Sequence, residues 1–96
     1  MKINTKVCLK NLKGDEIEIN KEKFTLGDAL AEMLIQSKTG GKMKMFTLAQ
    51  KLVKDKTVEV DASDMAMIKE AVKTTEVYNA LVAGQCELLL EEVKDK

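Results

Sequence analysis

A pair of glycines set among lysines is the first place in this 96-residue chain where residue type and spacing could do chemistry. Lys38, Gly40, Gly41, Lys42 and Lys44 would suit an anion, because glycine lets the backbone approach a phosphate and lysines at a helix start attract it. The spacing fits neither a P-loop nor a dinucleotide fingerprint, and a solvated helix–helix connection accounts for the same residues. Asp61 and Asp64 could share a cation, yet a helix cap requires these residue types at this spacing. Glu16 and Glu18 share one face of an alternating run. Paired acid–base work is conceivable there, and a solvated strand face is the simpler reading.

The partners that such groups would need are missing from the composition. The chain has no histidine and no arginine, with all 16 cationic residues being lysine. Ser37 and Ser63 therefore have no imidazole to activate them, and the commonest metal ligand is absent. Cys8 and Cys86 stand far apart with no CxxC pair, and in a Lys-rich chain without a signal-peptide pattern they read as reduced, buried apolar groups. No nucleophile–base pair or ligand set can be assembled, so the chain is expected to be non-enzymatic, with no catalytic residue, cofactor or metal. Sixteen lysines balance 16 carboxylates. That neutrality, with no arginine fork, argues against nucleic acid and against an anionic membrane surface as partners. No apolar run is long enough to span a bilayer.

The elements that would position these residues can be read from periodicity. Ile3, Thr5, Val7 and Leu9 alternate with Lys6, Cys8 and Lys10, and Glu16 to Ile19 alternates again after Asn11–Asp15, where Gly14 can take a positive φ. This predicts a hairpin. A lone hairpin is marginal in water, so it must lie on helices or gain a strand. Residues 57–60 could supply that third strand. Thr25-Leu26-Gly27-Asp28 opens a first helix with the stripe Leu26, Ala29, Leu30, Met33, Leu34. A second helix runs from about Lys42 to Lys54, with Met45, Leu48, Ala49, Leu52 and Val53 inward and Phe46 widening the stripe. Asp61 to Asp64 opens a third helix, carrying Met65, Ile68, Ala71 and Val72.

A fourth helix, from about Glu76 to Glu91, is apolar nearly all round. Such a helix is either central to the core or lies at a subunit interface. Tyr78, Leu81, Val82, Gln85 and Leu89 are its candidate interface residues. Gly84 is costly in a helix interior, and one compensation would be close packing of another backbone there. The fold class is α+β in a single small domain spanning 1–96, a hairpin on about four helices. The methionines at helical spacing, Met33, Met43, Met45, Met65 and Met67, suit core packing or an adaptable partner groove.

Four stretches of the chain resemble a group of small proteins of tailed phages and prophages. They are Leu9-Lys10-Asn11-Leu12-Lys13-Gly14, Thr25-Leu26-Gly27-Asp28-Ala29-Leu30, Val58 to Asp64 leading to Ile68-Lys69, and Leu81-Val82-Ala83-Gly84-Gln85 followed by Leu88-Leu89. The chain departs from that group in lacking an aromatic at Cys86 or Glu87 and a proline before the last helix. The resemblance implies an accessory protein made in a bacterial host cytoplasm and supplies no site residues. The expected function is protein–protein interaction, against a host process or with a phage protein, together with homo-oligomerisation through the last helix. The alternatives are a binder of a phosphorylated metabolite or nucleotide at the diglycine, a DNA-associated regulator, or a minor virion or assembly protein.

Overall fold

Alternation in the first nine residues decides where the chain begins to pack. In the computed structural model, which describes residues 1–19, 21–37 and 41–93, Ile3, Thr5 and Leu9 are buried and Val7 is half-buried, while Lys6 and Lys10 face solvent. The order of elements is β1 (Lys2–Asn4), β2 (Glu18–Ile19), β3 (Glu22–Lys23), α1 (Leu26–Gln36), α2 (Lys42–Lys54), β4 (Thr57–Glu59), α3 (Ala62–Thr74) and α4 (Ala80–Glu91). The fold is α+β, with four helices and two small sheets.

The expected third strand is present as β4, but it pairs antiparallel with β1 in a sheet of its own, with Ile3 opposite Val58. The hairpin survives around its turn. Lys10 bridges Glu16, Gly14 takes φ +92°, and the Asn11 side chain accepts from the amides of Lys13 and Asp15 at 2.9 and 3.1 Å. The chain then turns again at Lys21 (φ +68°) to bring β3 onto β2. Leu9 ties these segments together, since its amide donates to Phe24 and its carbonyl accepts from Ile17.

Thr25 caps α1, its Oγ1 accepting from the Asp28 amide at 3.3 Å. This helix is the centre of the molecule. Leu26, Gly27, Ala29, Leu30, Ala31, Met33 and Leu34 are all buried, and α2, α3 and α4 all pack against it. Its first turn is closely covered: a Cβ on Gly27 would collide with the Leu52 carbonyl oxygen and lie 2.7 Å from Thr5 Cβ. Thr5 is buried there with its hydroxyl donating to the Asp55 and Lys56 carbonyls, so it locks β1 to the link between α2 and β4. Helix α2 presents Met45, Leu48, Ala49 and Leu52 to the core, and α3 presents Met65, Ile68, Ala71 and Val72.

Helix α4 begins at Ala80 rather than near Glu76. Asn79 Oδ1 accepts from the amides of Leu81 and Val82 at 3.1 and 3.4 Å, while Thr75 Oγ1 takes the Val77 amide at 3.1 Å. These side chains offer the backbone an alternative to the helix over 75–79. Only Cys86 and Leu90 of α4 are buried.

Candidate functional site

The lysine–glycine cluster divides on inspection. Lys38 and Gly40 lie outside the described residues. Gly41 precedes α2 with φ −78°, and a Cβ there would meet only Lys44 Cβ at 3.9 Å, so neither backbone nor space demands glycine. Lys44 Nζ stands 3.0 Å from Asp64 Oδ1, and this hydrogen-bonded pairing raises the Lys44 pKa. Lys44 is thus engaged in joining α2 to the start of α3. Lys42 lines a shallow cavity of about 210 Å³ whose other walls include Leu34, Ile35, Met45 and Phe46. That lining is largely apolar, which suits a side chain better than a phosphate.

The carboxylates have structural work. Asp61 Oδ1 accepts from the Asp64 amide at 2.7 Å and caps α3. Glu16 is paired with Lys23 on the hairpin; hydrogen bonds from Lys23 and then Cys8 lower its pKa. Desolvation, followed by Glu16, raises the Cys8 thiol, which moves it away from thiolate reactivity. Burial pushes Cys86 from 9.0 up to about 12. Both cysteines are free. Among the described residues, no three His, Cys, Asp or Glu side chains gather into a set that could hold a metal ion. A cavity of about 520 Å³ lies between the ends of α1 and α3 and the 75–77 link, with Glu76 the ionisable group among its described lining residues.

The five candidate interface residues, Tyr78 just before α4 and four within it, point in two directions. Tyr78 stacks at a tilt on Phe24, with ring centroids 5.6 Å apart, and it packs with Val82 and Leu89 against the core. Gln85 is committed internally. Its Oε1 accepts from the Lys10 amide at 2.8 Å, and its Nε2 donates to the Lys10 carbonyl and to that of Leu81. One side-chain amide therefore serves as a strand partner for Lys10 and straps the hairpin to α4. Leu81 is half-buried and shares its side of the helix with Gly84 and the exposed Leu88, three and seven residues on. No atom of another element lies within 4 Å of where a Gly84 Cβ would be. Close backbone packing does not compensate Gly84 among the described residues, because α4 sits at the edge of the fold with this side outward.

Sequence periodicity also misassigned two residues of α2. Phe46 and Val53 are exposed rather than inward; Phe46 shares a cavity with the exposed Ile35 of α1, and the exposed Met43 lines another with Lys44, Lys51 and Asp64. Phe46 and Val53 border the buried stripe on the helix surface, so hydrophobicity alone draws the boundary too wide. The signal that separates them is the adjacent Lys42, which marks the solvent side. The other methionines divide the same way, with Met33, Met45 and Met65 in the core and Met67 packed against it.

No helix among the described residues is long and apolar enough to cross a membrane. The chain matches no protein-family model, no curated protein and no solved structure.

Proposed function

We propose that this chain is a non-enzymatic accessory protein of phage or prophage type that acts by binding another protein, within a host process or alongside a phage component. The observation that carries the reading is the outward side of α4. It is apolar at Leu81 and Leu88, open at Gly84 and, apart from the Lys10 strap at the neighbouring Gln85, covered by none of the described residues. An apolar helix is either a core element or a contact surface, and the core position belongs to α1. The ionisable clusters support the same reading, since the hairpin and α3 carboxylates pair or cap and both thiols are held protonated.

Affinity capture from a bacterial lysate tests this, with tagged wild-type protein and the Leu88→Glu variant compared by mass spectrometry. A stoichiometric protein held by the wild type and lost by the variant, with unchanged circular dichroism, is the expected result. Retention of a nucleotide or phosphorylated metabolite in native mass spectra, with no protein bound, would replace the reading with the small-ligand one.

A further inference from the structure

Charge is segregated along this neutral chain. Between Glu32 and Asp55 there is no carboxylate, while Lys38, Lys42, Lys44, Lys51 and Lys54 fall in that interval. Between Lys73 and Lys94 there is no lysine, and Glu76, Glu87, Glu91 and Glu92 fall there. The same two stretches leave apolar side chains outside. On α2 and the neighbouring end of α1, Met43 is 83% exposed, Ile35 59% and Phe46 57%, with Lys42 sharing the cavity wall between Ile35 and Phe46. On α4, Leu88 is 64% exposed on the side of Leu81 and Gly84, with Glu91 and Glu92 exposed beside it. Among the described residues α2 packs on α1, and α4 on α3 and α1, which leaves these apolar side chains outward.

We infer that the acidic apolar side of α4 docks onto the basic apolar side of α2 in a second copy of this chain. The inference rests on the protein-binding reading above and narrows the partner to the chain itself. Apolar stripes of similar kind, one rimmed by lysines and the other by glutamates, are complementary, and the opposed charges set orientation and register. Gly84 leaves room for a bulky side chain such as Phe46 to approach the α4 backbone. Like pairing is disfavoured on both sides: α4 on α4 sets glutamate against glutamate, and α2 on α2 sets lysine against lysine. The contact is therefore heterologous. Each copy carries one donor and one acceptor side, and assembly leads to rings or open chains rather than a two-fold dimer.

Sedimentation velocity with two complementary variants tests this. Phe46→Glu spoils the α2 side and leaves the α4 side intact; Leu88→Lys does the reverse. Circular dichroism confirms that each is folded. Wild type is expected to exceed monomer mass increasingly with concentration across the micromolar range, and to fall back towards monomer in high salt. Each variant alone is expected to be monomeric, and an equimolar mixture is expected to regain association through the intact α4 side of one and the intact α2 side of the other. Self-association of Phe46→Glu alone would show an α4–α4 contact and overturn the inference. So would a mixture that stays monomeric. A monomeric wild type that binds an acidic peptide, anionic vesicles or a different captured protein would also overturn it, while the last of these would leave the protein-binding function standing.

Discussion

Helices α1 and α4 are of similar length and apolar content, and each carries one glycine, yet their settings are opposite. Around Gly27 of α1 the Leu52 carbonyl and Thr5 close in until no side chain would fit, whereas no described residue packs within 4 Å of where a Gly84 Cβ would lie on α4. Most of α1 finds partners, with α2, α3 and α4 arranged about it and only Glu32, Ile35 and Gln36 left exposed. Helix α4 buries Cys86 and Leu90, lays Val82, Ala83 and Leu89 against the core, and leaves Leu88 outside. Apolar composition identifies helices that need cover, and the topology decides which of them receives it inside the molecule.

The sharpest way to break the comparison is at Gly27. Gly27→Ala places a methyl against backbone that cannot rotate away, so the loss is expected to reach about 3 kcal/mol or more, measured by urea unfolding. A loss below about 1 kcal/mol would mean that α1 and α2 can part cheaply. Next is the one buried ionisable group of α4. Cys86 titrates at about 12 when folded and near 9.0 when free, so the unfolded chain gives up its proton first as pH rises. Stability is expected to fall between pH 9 and 12 by up to roughly 4 kcal/mol from this group, and below pH 9 the group contributes no slope. The pH profile of Cys86→Ala, lower overall, should lack that part of the alkaline decline. Native Cys86 should also resist alkylation by iodoacetamide at pH 8, because so little thiolate is present.

A smaller effect is expected at the strap between α4 and the hairpin. Gln85→Ala removes both bonds to Lys10 at a partly exposed site where water can replace them, so about 1 kcal/mol is expected. Hydrogen exchange should quicken at the Lys10 amide while α1 amides keep their protection. Equal quickening in both would show that α4 is as integral to the core as α1.

Much of the frame was legible beforehand, for local reasons. Thr25 and Asp61 cap helices where their spacing said they would, α2 spans Lys42 to Lys54, and Ile3, Thr5 and Leu9 turn inward by simple alternation. What escaped depends on distant partners or competing side chains. The start of α4 was hidden because Val77 and Tyr78 continue an apolar run, while Asn79 and Thr75 spend their oxygens on other amides. The pairing of Gln85 with Lys10 joins residues 75 positions apart, and no local pattern announces it. The choice of α1 over α4 as the centre turns on which helix has Thr5 and Leu52 available to cover it. Of the candidate sites, the Lys44–Asp64 pair and the exposure of Phe46 become visible only once α1, α2 and α3 are packed.

The most direct test of the claim that α4 has an uncovered side is the thermal unfolding of Gly84→Ala at low micromolar concentration. The account predicts a gain of roughly 0.5–1 kcal/mol, or a melting temperature higher by about 2–8 °C, because the added methyl meets open space and the unfolded chain loses freedom. A fall comparable to that of Gly27→Ala would contradict the account, for it would place another part of the same molecule against that side of α4.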